Sequence, residues 1–268
     1  LNSELELHVL TCEKDFMDLL WALKTFYFYS KLKTRLTIHD DGTLNSNRVR
    51  TLKTHFANCQ VVMKNDADIY VGRLLKDHEF CSKYRFDDRT KLGIKLFDFV
   101  FYSQTKKIIF LDSDVLFFKK PAEINEFITA GKNFFLSDYM DAFSLPRNLL
   151  HTLLGLEIEC RVNTGLMFIN VEKIYDLVLI ESFLKAAYER DLPQPPWAEQ
   201  TAWALIISKY RHLFVRLPNV YQISQQRITE TTVSHHFVND GSRIHFHTKG
   251  LRYIKSGKFL NKLNGNDS

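Results

Sequence analysis

Lys106-Lys107-Ile108-Ile109-Phe110-Leu111-Asp112-Ser113-Asp114 is the stretch that decides the fold. An unbroken apolar run from Ile108 to Leu111 marks a parallel strand covered on both faces, and two carboxylates one residue apart stand where it ends. Ligands of open α/β sheets gather beyond the carboxyl ends of the strands. An Asp pair there is placed to hold a divalent cation against a phosphate-bearing substrate. The spacing alone is not specific, because Asp66-Ala67-Asp68 repeats it. That second pair follows the polar Lys64-Asn65 and reads as a loop.

Upstream, Leu5 to Leu10 alternates and then turns apolar, as a first strand ending at Thr11-Cys12. Phe16, Leu19, Leu20, Leu23 and Phe26 then recur at helical spacing. Leu36-Thr37-Ile38 is a short strand that stops at the polar turn His39-Asp40-Asp41-Gly42-Thr43. A helix is expected over Arg48 to Phe56 and a third strand over Gln60 to Met63, whereas Lys64 to Arg89 reads as loops and short helices. Leu92, Lys95, Leu96, Phe99 and Val100 continue a helix into the strand that carries Asp112. Strands alternating with helices make a doubly wound, Rossmann-like nucleotide-binding half the natural inference for residues 1–120.

Downstream, Glu123 to Thr129 reads as a helix and Asn133 to Asp138 as a strand with an acid at its end. Leu166 to Asn170 reads as a strand preceded by Asn163-Thr164-Gly165, and Ile174 to Tyr188 as a helix. The proline-rich 191–196 breaks the pattern before a helix over Trp197 to Tyr210. Arg243-Ile244-His245-Phe246-His247 alternates as a short strand, which puts His245 and His247 on one face. With no internal repeat and no linker, 1–268 reads as a single domain.

The 268 residues suffice for a large core, and 22 Phe with 11 Tyr argue for order. A formal charge of +5 suits an anionic small substrate and is too weak and scattered to imply nucleic acid. Lys249, Arg252, Lys255, Lys258 and Lys262 form a basic C-terminal tract that suits either solvent or peripheral contact with a membrane surface. Cys12, Cys59, Cys81 and Cys160 are too widely spaced for a zinc site or a disulfide framework. The apolar runs fall short of a membrane span, so the expectation is a cytoplasmic protein, with membrane association as the alternative. The chain starts at Leu1, which leaves open a leader or anchor removed upstream.

Taken in order, these pieces resemble the nucleotide-sugar glycosyltransferases of the GT-A fold, nearest to the glycogenin-like, lipopolysaccharide galactosyltransferase-like branch. Lys95, followed by Asp112-Ser113-Asp114, is similar to that branch's basic residue and D-x-D signature. Asn163-Thr164-Gly165 is similar to its N-x-G, Glu199-Gln200 to its acid-Gln pair, and His247-Thr248-Lys249-Gly250 to its late H-x-x-G. No Pro-Trp follows that last motif, the next basic residue is Arg252, and His245 is an alternative counterpart. Asp40-Asp41-Gly42-Thr43 resembles a turn of an inverting branch of the same fold, so the stereochemical outcome stays open.

The resemblance implies a metal-dependent transfer of a sugar from a nucleoside diphosphate, UDP first, to a hydroxyl on a saccharide, a lipid-linked glycan or a protein. Residues 121–268 would carry the sugar and acceptor. Asp114 and His247 would ligate the metal directly, and Asp112 would share it with the donor ribose. A nitrogen beside oxygen ligands favours Mn2+ over Mg2+. Thr11, Cys12 and Asp41 would hold the base, and Lys95, Ser113, Lys249, Gly250 and Arg252 the rest of the donor. Asp138, Asn163, Thr164, Gly165, Glu199 and Gln200 would meet the sugar, with Glu199 or Asp138 as base if the reaction inverts. Trp197 or Trp203 would stack on an acceptor, core packing being the commoner fate of Trp203.

Rival classes are a nucleotidyltransferase and a non-catalytic carbohydrate-binding module. The first calls for a glycine-rich loop after the first strand, where this chain has Thr11-Cys12-Glu13-Lys14-Asp15. The second is expected to lack the Asp pair, which is present.

Overall fold

The computed structural model describes residues 4–256 except 225 and 239. The first half runs β1 (Leu5–Thr11), α1 (Phe16–Ser30), β2 (Arg35–Asp40), α2 (Ser46–His55), β3 (Cys59–Val62), α3 (Lys64–Leu74), α4 (Glu79–Arg85), α5 (Leu92–Phe101) and β4 (Lys107–Leu111). Then come β5 (Val115–Phe117), α6 (Ala122–Thr129), β6 (Asn133–Ser137), α7 (Arg147–Leu154), β7 (Val162–Asn170), α8 (Val171–Ile174) and α9 (Leu177–Tyr188). The described residues close with α10 (Ala198–Lys209), β8 (Phe214–Arg216), β9 (Tyr221–Ile223), β10 (Ser234–His236), α11 (Asp240–His245) and α12 (Leu251–Ser256).

A seven-stranded sheet in the order β3-β2-β1-β4-β7-β6-β8 is flanked by helices, with β7 antiparallel to both its neighbours and the other pairings parallel. A second sheet, β5-β10-β9, springs from the end of the Asp112 turn. Side chains alternate across a strand, so the run ahead of Asp112 divides between two cores. Ile108 and Phe110 face a layer holding Phe99, Phe183 and Trp203, while Ile109 and Leu111 face one holding Phe16, Phe26 and Phe117. All four strand residues are buried, which is why the run is apolar throughout. Trp203 belongs to that core, its ring edge-on to Phe110 at 5.2 Å.

Two expectations change. The helices expected within Lys64 to Arg89 are α3 and α4, but Asp66 lies in the first turn of α3 instead of a loop. α3 buries only Ala67 and Val71, too narrow a stripe to signal a helix in sequence. The segment from Arg243 to His247 is helical, passing from α11 into a π-helical turn over Phe246–Gly250. Its buried apolar residues, Phe246, Leu251 and Ile254, pack at helical spacing on Leu116 and Phe237, and Ile244 is exposed, so period two does not hold.

The four cysteines are free. Among the described residues no helix is long and apolar enough to cross a membrane. Lys249, Arg252 and Lys255 of the basic tract are exposed on the C-terminal helical segment, and Lys258 and Lys262 lie outside the described residues.

Candidate active site

β4 ends at Leu111, opposite Leu166 of the antiparallel β7, and the Asp112 N–H donates to the Gly165 carbonyl at 2.8 Å. The start of β7 therefore overshoots β4 and lays Asn163-Thr164-Gly165 beside the carboxylates. A tight turn follows, closed by Val115 N–H on the Asp112 carbonyl at 3.3 Å, and β5 leaves for the second sheet. There Val115 faces His236 of β10, and the Phe237 N–H donates to the Asp114 carbonyl at 3.0 Å. Strand pairing thus brings together side chains far apart in sequence.

Asp112, Asp114 and His236 present ligand atoms that all lie within 4.8 Å of one another. His236 Nε2 is 3.0 Å from Asp114 Oδ1 and 3.5 Å from Asp112 Oδ2. Two oxygens and one imidazole nitrogen, converging at a buried strand end, fit a divalent transition metal. Burial alone would raise the Asp114 carboxyl, but His236 beside it holds it below the usual carboxylate range. Lys95, on α5, is 2% exposed and places Nζ 2.5 Å from Asp112 Oδ1. Burial opposes its charge, yet Asp112 and Glu199 outweigh that and raise it above the ordinary lysine range.

A cleft of about 200 Å³ opens over this edge. Thr11, Cys12, Asp41, Lys95, Asp112 and Ser113 line it together with Asp15, Lys91, Asp114 and Arg243. Asp41 Oδ1 also caps its own turn, accepting from the Thr43 N–H at 3.0 Å and the Thr43 hydroxyl at 2.6 Å. Gly42 reaches φ +104 in that turn, a conformation glycine adopts without strain. Burial pushes the Cys12 thiol up to about 11, so it faces the cleft as a neutral group.

Beneath Asp112, Asp114 and His236 lies a buried polar layer. Asn163 Nδ2 donates to Asp138 Oδ2 at 2.9 Å, and the Thr164 hydroxyl to Glu199 Oε2 at 2.9 Å. Gln200 Nε2 reaches the Ala142 carbonyl at 3.4 Å. Glu199 is 2% exposed, and burial lifts its carboxyl to about 7 against the opposing charge of Lys95. Trp197 sits half-buried in the turn before α10, its carbonyl accepting from the Thr201 hydroxyl at 2.8 Å.

His247 lies outside the cluster: its Nε2 is 3.1 Å from Asp18 Oδ1 and His236 occupies the place expected of it. His245, the alternative, is in the last turn of α11. Lys249 and Arg252 are exposed and do not line the cleft, and neither does Gly250. A Cβ on Gly250 would come 2.7 Å from Leu116 Cδ1, so the glycine permits packing of the π turn. The cleft's late basic residue is Arg243, whose guanidinium pairs with both oxygens of Asp15, Nη2 to Oδ2 at 2.6 Å. Sequence patterns do not single out His236, Arg243, Asp15 or Lys91. A signal exists all the same, since His236, Gly241 and Arg243 repeat the order histidine, glycine, base slightly upstream of the H-x-x-G at His247.

Neither a protein-family model nor a curated protein sequence matches the chain. Solved structures are similar to it in fold. Mouse xyloside xylosyltransferase 1 in its apo form superposes with a TM-score of 0.60 at 12% identity, covering 88% of this chain and 98% of that one. Galactosyltransferase LgtC, in complex with donor and acceptor sugar analogs, gives 0.56 at 13%, covering 93% and 94%. Core-mannan synthase A from Aspergillus fumigatus, in its Mn/GDP form, gives 0.50 at 9%, covering 81% and 73%. The chain has the GT-A glycosyltransferase fold.

Proposed function

We propose that the chain is a metal-dependent glycosyltransferase that moves a sugar from a nucleoside diphosphate, UDP in the first instance, to a hydroxyl acceptor with retention of configuration. The observation that carries this reading is the meeting of Asp112, Asp114 and His236 at the carboxyl edge of a GT-A sheet, facing a cleft lined by Thr11, Asp41, Lys95 and Arg243. These three side chains would hold Mn2+. When bound, it supplies positive charge that stabilises the departing diphosphate.

The protein's own groups do the rest. The end of β1 and Asp41 offer backbone groups and a carboxylate to the base, and Arg243 brings positive charge to the diphosphate. Lys95 fixes Asp112 and adds to that charge. Residues 1–120 would hold the nucleotide, and 121–268 the transferred sugar and the saccharide, lipid-linked or protein acceptor.

Retention is favoured because neither Asp138 nor Glu199, the two carboxylates considered as a base, stands free. Asp138 already accepts from the Tyr139 N–H at 2.7 Å and from Asn163 at 2.9 Å, one bond on each oxygen. Glu199 is sealed beneath Lys95 and absent from the cleft lining. In the retaining course the bond from the anomeric carbon to the donor phosphate oxygen breaks, its electron pair leaving with the diphosphate. The acceptor oxygen bonds to the same face, and its proton passes to a diphosphate oxygen.

Calorimetry of the purified chain with UDP, GDP and CDP, with and without Mn2+, tests this reading. Metal-dependent binding of UDP that Asp114→Ala reduces below detection is expected. Binding that ignores Mn2+, or no binding of any of the three, overturns it.

A further inference from the structure

Asn163-Thr164-Gly165 reads in sequence as a segment that meets the sugar, yet Asn163 and Gly165 both turn towards His236. Asn163 is 3% exposed and its amide is oriented from two sides. Oδ1 accepts the Gly165 backbone N–H at 2.9 Å. Nδ2 points at Asp138 Oδ2, 2.9 Å away, and at Gln200 Oε1, 3.5 Å away. A backbone N–H can only donate, so the amide oxygen must face Gly165 and the amide admits one orientation. The remaining capacity of Oδ1 meets His236 Nδ1 at 2.9 Å, so the imidazole hydrogen is on Nδ1. Nε2, the ring's other nitrogen, then faces Asp114 Oδ1 and Asp112 Oδ2, where it can offer its lone pair to a cation held between them.

Gly165 completes the arrangement. A Cβ there would fall inside the imidazole, 2.9 Å from Nε2 and nearer still to two other ring atoms. The ring therefore rests on the bare backbone of β7, the strand whose Gly165 carbonyl also holds Asp112 N–H. One strand end thereby sets the position of a carboxylate and the orientation of the imidazole that faces it.

We propose that Asn163 and Gly165 are positioning residues that form a seat for His236, fixing its tautomer and ring plane so that Nε2 ligates the metal. The proposal rests on the metal-site reading above and adds a role for the asparagine distinct from sugar contact. Hydrogen-bonding partners of ligating histidines commonly influence metal affinity by about 10–100-fold.

The test is Mn2+ titration of the full chain, with and without UDP and with no sugar present, followed by electron paramagnetic resonance. Spin-echo detection of nitrogen coupled to Mn2+ reports histidine ligation directly. The wild-type protein is expected to bind Mn2+ with that coupling. Asn163→Ala is expected to bind roughly 10–100-fold more weakly and lose the coupling. Gly165→Ala, which pushes the ring off its seat, is expected to lose it too. Thermal unfolding of each variant separates a folding defect from a ligation defect. Variants that are less stable but keep wild-type affinity and nitrogen coupling overturn the seat alone. A wild-type protein that binds no Mn2+ overturns the metal reading on which it rests.

Discussion

His8 and His39 form a buried pair at 0% and 1% exposure, between the sheet and α5. His8 Nδ1 lies 3.0 Å from His39 Nε2, and His8 Nε2 lies 3.0 Å from Glu6 Oε2. Both rings lean on Phe99, with centroids at 5.5 and 4.8 Å. Burial lowers both imidazoles below the ordinary histidine range. Glu6 partly opposes this for His8, while His8 and Arg85 add to it for His39. A histidine whose folded pKa is depressed favours folding while neutral. That stability is present above the unfolded value near 6.5 and is lost as pH falls towards the folded one, because the unfolded chain takes the proton first. The urea midpoint is therefore expected to drop between about pH 7 and about pH 5, and His39→Phe, which keeps an aromatic ring against Phe99, to flatten that slope. An unchanged slope in the variant would rule the pair out as its source. At this scale the sequence discloses some residues and hides others. Asp112 and Asp114 are legible because burying a carboxylate at the end of an apolar strand is costly unless a cation or a hydrogen-bond donor meets it there. His236 is hidden in the three-residue β10, because its side-chain partners Asp114 and Asn163 come from distant parts of the chain.

Elements are legible where burial imposes a period on several consecutive residues. β4 and α1 are of this kind, and so is α10, whose residues from Ala198 to Ile207 are buried all round. α3 is not, since its face towards solvent leaves almost no apolar stripe. Five alternating residues at 243–247 are too few to tell a strand from a helix. α10 is also where the core under the site is most exposed to damage. Trp203 is 0% exposed, edge-on to Phe110 of β4 and 6.0 Å from Tyr175. Trp203→Ala is expected to cost about 3–5 kcal/mol in chemical denaturation. Trp203→Phe should cost less than half of that, because the indole Nε1 has no hydrogen-bond partner to lose. A loss below about 1 kcal/mol for the alanine variant would mean that α10 repacks freely over the strand bearing Asp112.

Over the whole molecule, the C-terminal segment folds back across the start of the chain. Arg243 of α11 pairs with Asp15 just ahead of α1, and His247 of the π turn with Asp18 inside α1. The cleft is therefore bounded by residues more than two hundred positions apart, a closure that no local pattern could reveal. Its charge is also unlike that of the chain, which is formally +5. Asp15, Asp41, Asp112 and Asp114 line it against Lys91, Lys95 and Arg243. Acid exceeds base, so a diphosphate entering without a cation meets net repulsion, while a divalent ion at Asp112 and Asp114 reverses the sign. Within that balance Arg243 is held in place by Asp15 and can exchange one anionic partner for another. A guanidinium presents fixed paired donors that an ammonium does not. Arg243→Ala is thus expected to weaken Mn2+-dependent UDP binding by about 1.5–3 kcal/mol in calorimetry. Arg243→Lys should recover part of that loss, because it restores the charge without the fork. If Arg243→Ala binds UDP as tightly as the wild type, the C-terminal segment lies over the cleft without taking part in holding the donor.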